Sequence, residues 1–315
     1  LGTWTTSGGS IWLAGNVGSG TGYDLILGNS AAQVLNVGAG SITLIGDYQA
    51  SSSTTTITST GTLTIAPFNS AFTDSAGTAR AFTWSGSGTN FVGTGSINAM
   101  TINSIAGLTG LVIGKSTSTA NSNVTVSNAI GIAGPISIYG GNITVSAALT
   151  TTGSSSNAVT LVASDSIKVA GNITTSGAAV LISSNSDGSN GGGITTNAVT
   201  ISTSGGNITL GGGADGTGYA EGSASSIQDA LYRGMWISAT TLNAGGGNIT
   251  LRGKGWQGAT YGTNAAYYSI GVDLVSGDVI STTGSGTINI VGVGGINYTA
   301  ANHSVGINFA NSSSK

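Results

Sequence analysis

A five-residue phrase, Gly-Asn-Ile-Thr-Leu, stands at residues 206–210 and again at 247–251. A variant, Gly-Thr-Ile-Asn-Ile, comes at 286–290, so the steps are 41 and 39 residues. A second phrase keeps the same beat: Gly234-Met235-Trp236-Ile237, Gly271-Val272-Asp273-Leu274 and Gly306-Ile307-Asn308-Phe309. Between them lies a third run, clearest at residues 278–283. One repeat is therefore three short strands plus a polar excursion of roughly 15 residues. Such a unit buries its apolar side only by stacking on its neighbours.

The middle of the chain repeats the idea with shorter connections. Residues 158–184, AVTLVASDSIKVAGNITTSGAAVLISS, hold four strand-like runs, and residues 191–213 hold three. Within a run the apolar residues alternate, as in Ile208 and Leu210, Ile249 and Leu251, or Val159 and Leu161. Alternation puts them on one face, with Asn207, Thr209 and Thr250 on the other. Coiling the chain so that each turn rests on the last brings identical strands into parallel register about 4.8 Å apart. The pattern predicts an all-β fold, a right-handed parallel β-helix (β-solenoid) with three short strands per rung. Loop excursions fall in the C-terminal third, and roughly 10–14 rungs would make a rod on the order of 50–65 Å long. Ile208, Leu210, Ile249, Leu251, Ile288 and Ile290 are expected inside as one stack. Three stretches of one solenoid are expected: irregular rungs over 1–95, compact rungs over 96–213, and rungs of ~40 residues with long loops over 214–315.

Composition agrees. Charged residues are 5% of the chain, against about 25% in ordinary domains. The 55 glycines suit tight corners that need positive φ. An apolar fraction of 39%, rich in β-branched residues, separates the chain from disordered sequences. Short hydroxyl and amide side chains on outward positions avoid the repulsion that stacked identical charges create. One segment departs from the pattern: residues 225–234, SSIQDALYRG, carry a capping box and a terminal glycine, predicting a short helical turn. Its equivalents near 265–270 and 300–305 read as irregular loops.

The seven cations are scattered, with no basic patch for nucleic acid. No apolar run approaches the ~20 residues of a membrane span. Cysteine is absent, which fits secreted bacterial surface proteins. A chain starting at Leu1 and stopping one strand into a rung, at GINFANSSSK, reads as an excised piece of a longer protein or as one whose end another subunit covers.

Catalysis finds little footing. Glycoside hydrolysis needs two carboxylates some 5–9.5 Å apart. The closest acidic pair in sequence, Asp273 and Asp278, is split between an outward strand position and a corner. His303 is the only histidine, and the glycine-rich stretch 211–218 resembles a calcium-binding turn but does not repeat. No enzyme activity, cofactor or metal is expected. Aromatics cluster in the loop-bearing third: Trp236, Trp256, Tyr261, Tyr267, Tyr268 and Tyr298. They either contact a glycan or partner, or pack the loops back on the rod. Asn-x-Ser/Thr occurs at Asn123, Asn142, Asn172, Asn207, Asn248, Asn297, Asn302 and Asn311, as candidate glycosylation sites or as turn residues carried by repetition.

The segments SIKVAGNITTSGAAVLISS and GGNITLRG…GVDLVSGDVISTTGSGTINIVGVGG resemble the filamentous-haemagglutinin-like exoproteins of bacteria, best over 95–315. The family's Asn-Pro-Asn-Gly secretion motif is absent, since the only prolines are Pro67 and Pro135. The resemblance implies a structural and adhesive rod segment of a secreted surface protein, serving cell adhesion, biofilm or an extracellular fibre. Its expected partners are surface glycans, other cells, or further rungs supplied end to end or by covalent continuation. The alternatives are a self-assembling filament or sheath subunit, an ice-binding solenoid suggested by SSSTTTITST at 51–60, and a carbohydrate-active β-helical enzyme.

Overall fold

The structure, a computed structural model, describes residues 2–16, 24–27, 31–51, 55–74, 76–85, 101–102, 105, 107–116, 122–189, 191–223, 232–258, 269–275, 277–295 and 304–310. Among these it holds strands and no helix, and every strand pairing is parallel. The chain is a parallel β-helix. Its first face runs unbroken through Ile11–Ala14, Ile42–Ile45, Thr62–Ala66, Gly110–Ile113, Ile136–Gly140, Val159–Ala163, Val180–Ser184, Ile208–Gly212, Ile249–Lys254 and Ile288–Val293. Ten rungs at about 4.8 Å make a rod of roughly 45–50 Å, at the short end of the expected range.

Face two stacks Phe82–Trp84, Val124–Val126, Ile143–Val145, Ile167–Val169, Ile194–Asn197, Met235–Ser238, Ser269–Leu274 and Ser304–Phe309. Face three stacks Ile130–Ile132, Leu149–Thr151, Ile173–Thr174, Thr200–Ser202, Thr241–Asn243 and Val279–Ser281. In the first rungs separate stacks take these two places. Leu25–Leu27 and Gln49–Ser51 precede face two, while Gly2–Thr5, Gln33–Asn36, Thr55–Thr58 and Thr101–Ile102 precede face three. Only face one is continuous from end to end, and it sets the register of the rest.

That register is a column of aliphatic side chains. Ile42, Leu63, Leu111, Ile136, Val159, Val180, Ile208 and Ile249 succeed one another rung by rung and are all at most 1% exposed. Each contributes roughly 1.5–3 kcal/mol by burial. The expected interior residues Ile208, Leu210, Ile249 and Leu251 are at 0% exposure. Ile288 and Ile290 stand in the same register but do not share the burial, and Ile288 is 46% exposed. The correction has a simple cause: among the described residues no strand lies on their far side.

Corners are built from hydrogen bonds rather than charge. An asparagine one residue before a strand uses its Oδ1 to accept the backbone N–H of the equivalent residue in the next rung. Asn123 so holds Asn142, and Asn142 holds Ser166, at 2.9 and 3.1 Å. Asn172 holds Thr200 at 2.8 Å, Asn207 holds Asn248 at 2.8 Å, and Asn248 holds Thr287 at 2.9 Å. Inside another corner the hydroxyls of Thr151, Thr175 and Thr203 donate to backbone carbonyls while fully enclosed. Between faces two and three, Ala198, Ala239 and Gly277 occupy one position in successive rungs, all at positive φ (52°, 48° and 84°). Only the last of these has the residue that accepts this backbone without strain.

The four runs of 158–184 and the three of 191–213 are all strands. Two expected loops are shorter than read, because Ser269, Ile270, Ser304 and Val305 belong to strands. Glycine removes the obstacle there: a Cβ on Gly271 would lie 2.5 Å from Gly306 O and Val293 N, so the bare backbone lets faces one and two converge. The expected helical turn at 225–234 lies outside the described residues up to 231.

Candidate functional site on the outer side of face two

The repeat itself builds the site. In the phrases GMWI, GVDL and GINF, the residue between two inward side chains points outward, so Trp236, Asp273 and Asn308 lie one above the other. Lys168 and Thr195 continue the column below Trp236. On face one the same column is mainly Thr and Ser, half-buried and uncharged. On face two it carries an aromatic ring, a carboxylate and an amide.

Asp273 is 2% exposed although it faces away from the core. Arg233, just before the strand Met235–Ser238, donates from Nε to its Oδ2 at 2.7 Å. Asn308 donates from Nδ2 to its Oδ1 at 2.7 Å. The carboxylate is thus paired on both oxygens, which a buried charge requires. Beside it opens a cavity of about 470 Å³, lined by Arg233, Asp273 and Asn308 with an aliphatic wall of Ile270, Val275, Val305 and Ala310.

Asp278 sits in the adjoining corner, 1% exposed. Its Oδ1 accepts the N–H of Thr240 at 2.9 Å, while Oδ2 is buried with no partner among the described residues. Burial pushes its pKa up to about 6, against the hydrogen bond from Thr240, and the charge of Asp273 adds to the rise. The pair occupies a strand and a corner, as the sequence predicted.

The other candidates disperse. Trp236 is outward and half-buried. Trp256 comes after the face-one strand Ile249–Lys254 and packs on Tyr232, with ring centroids 5.2 Å apart at 50°. Its N–H reaches Tyr232 O, and its carbonyl accepts the Ser269 hydroxyl, so it clamps the root of an excursion. Tyr261, Tyr267, Tyr268, Tyr298, Asn297, Asn302, Asn311 and His303 lie outside the described residues. Asn123, Asn172, Asn207 and Asn248 are exposed corner residues, and Asn142 is half-buried with Nδ2 on Asp165 at 2.9 Å. In the stretch 211–218, the hydroxyl and N–H of Thr217 hold the Asp215 carboxylate below its usual pKa. That carboxylate is tied up within its own turn.

Sequence reasoning passed over Arg233 and Asn308. The signal was present, because aligning the three phrases already superposes Trp236, Asp273 and Asn308. Together fold and cavity define a charge-poor parallel β-helix with a polar recess on its flank. Comparison of the chain with protein-family models, with curated proteins and with solved structures finds no match in any of the three.

Proposed function

We propose that the chain is a structural and adhesive rod segment of a secreted bacterial surface protein. The observation that carries this reading is the unbroken register of face one, from Ile11 to Val293, along its inward aliphatic columns. Such a stack resists bending, because each rung is bonded along its length to the next. The outer positions of face one, largely uncharged and including Thr43, Thr64, Ser137, Thr160, Thr209 and Thr250, suit a surface exposed to water and to other cells without a strong field of either sign. On this reading the role is structural rather than catalytic, and the place is extracellular. The exposed corner asparagines are sites that a glycosylating host can modify.

Two measurements test it. Electron microscopy of the purified chain should show straight rods roughly 50 Å or more in length, and compact spheres would overturn the rod. Beads coated with the chain should adhere to glycan-bearing cell surfaces above albumin-coated controls, and equal retention would overturn the adhesive role.

A second reading, a self-assembling filament subunit, is favoured by the two end rungs. Trp4, in register with the inward Leu35, is 52% exposed at one end, and Ile288 and Phe309, in register with Ile249 and Leu274, are 46% and 64% exposed at the other. At the first end a recess of about 340 Å³ opens among Trp4, Leu13, Leu25, Ile26, Leu27, Gln33 and Leu35. Further β-helical rungs would cover both. Sedimentation at rising concentration discriminates: a stable monomer at high micromolar concentration sinks the filament reading and leaves the rod untouched.

A further inference from the structure

We propose that the recess beside Asp273 binds one uncharged sugar residue, the kind of unit that ends a surface glycan. The proposal rests on the adhesive part of the reading above and supplies its ligand class. A volume of about 470 Å³ falls among small-molecule sites, roughly 300–1,000 Å³, and admits a pyranose ring with its ordered water. The walls differ in kind. One presents Arg233, Asp273 and Asn308; the other presents Ile270, Val275 and Val305. A pyranose has the same division, with hydroxyls around its edge and C–H groups across its face.

The polar wall is already set. Each oxygen of Asp273 has one partner and keeps a lone pair for another. Arg233 engages through Nε, which leaves its terminal amino groups as donors, and Asn308 engages through Nδ2, which leaves Oδ1 as an acceptor. Donors and acceptors thus stand side by side, as vicinal hydroxyls require, since each hydroxyl both donates and accepts. The ordering of these side chains is achieved in folding rather than on binding.

Charge decides the class. Arg233 and Asp273 neutralise each other within 2.7 Å. An acidic sugar would place its carboxylate against Asp273, and an amino sugar its ammonium against Arg233. In a recess only partly open to water either repulsion is incompletely screened. A neutral ligand avoids both.

The test is saturation-transfer NMR on the whole 315-residue chain with free galactose, glucose, mannose, fucose, N-acetylglucosamine and N-acetylgalactosamine. Glucuronic acid and N-acetylneuraminic acid serve as charged comparators. At least one neutral sugar should bind saturably, with the acidic sugars weaker. Asn308→Ala and Arg233→Met should each weaken it about tenfold or more, the effect of losing one hydrogen bond in the site. Lys254→Met, which breaks the ion pair with Glu221 elsewhere, should leave binding unchanged. Each variant is first shown to keep the parent's β-sheet circular dichroism. Should Arg233→Met unfold by stranding Asp273, Asn308→Ala still decides. The proposal is overturned if no neutral sugar saturates, if only acidic sugars bind, or if binding survives Asn308→Ala. Rods that adhere to cells but bind no free sugar would remove this site alone.

Discussion

The rungs between residues 122 and 213 and those after 213 are the same coil carrying different loads. In the first region equivalent corner residues are 19, 24 and 28 residues apart; in the second they are 41 and 39 apart. Yet Ile208, Ile249 and Ile288 stay in one register across the long steps. The extra length leaves at corners and returns to them. After Gly212 the chain makes a small turn and comes back as Ala220–Glu221, lying on Gly253 and Lys254. Closing a longer loop costs little more than closing a short one. A β-helix can therefore acquire side-wall chemistry without altering its core. The ion pairs Arg233–Asp273 and Lys254–Glu221, the Tyr232–Trp256 contact and the buried Asp278 all belong to the long-loop region.

The largest expected effect asks whether the two regions share one core. Ile143→Asp in the compact rungs and Ile249→Asp in the long ones each bury an unpaired carboxylate. Both should lose several kcal/mol in denaturant titration, about 4 or more. Ile288→Asp, with its side chain half in water, should lose no more than about 1 kcal/mol in the monomer. An equal loss at all three would mean that the last rung is covered in solution.

Next comes pH, which between about 4 and 8 should act through the long-loop region. The folded-state pKa of Asp278 is raised, so the folded chain binds a proton more tightly than the unfolded chain does. Stability from this group is full at low pH and is lost as pH rises from about 4, the ordinary carboxylate value, through about 6. The loss should amount to about 3 kcal/mol, and Asp278→Asn should abolish it. Melting temperatures of parent and variant between about pH 4 and 8 measure both, and parallel curves would contradict the assignment.

Asparagine corners should matter in both regions, but unequally. Asn142→Ala removes bonds to Ser166, Asn123 and Asp165, while Asn248→Ala removes those to Thr287. Losses of about 1–2 and about 1 kcal/mol are expected. The smallest effect belongs to the Lys254–Glu221 pair, 3.3 Å apart and partly exposed. Lys254→Met should change stability by less than about 1 kcal/mol, and less still in salt.

The features legible in the sequence divide along the same line. Alternation within GNITL fixes which side chains face inward, because the period of a strand is two residues. Repetition fixes their partners, because identical phrases stack. Hence the register from Ile208 to Ile288 was legible, as were the outward setting of Trp236 and the corner role of Asp278. Long-range polar contacts are governed by no such period. Asn308 falls on Asp273 through the repeat itself, but Arg233, 40 residues from Asp273, precedes its strand, where alternation says nothing. The burial of Asp278 depends on the groups that cover a corner, which no local pattern encodes. The exposure of Ile288 depends on whether another rung lies beyond it, and alternation within a strand carries no information about that.

The asparagine links also have a direction. In each of the five, the acceptor belongs to the earlier rung and the donor to the later one: 123 to 142, 142 to 166, 172 to 200, 207 to 248, 248 to 287. A chain emerging N-terminus first therefore meets a finished platform with its acceptors already in place, each new turn needing only the one before it. Growth in the opposite sense would offer amides to an asparagine still searching for its rotamer. Through these asparagines the coil can wind up from its beginning, turn by turn, each link set by the rung before it.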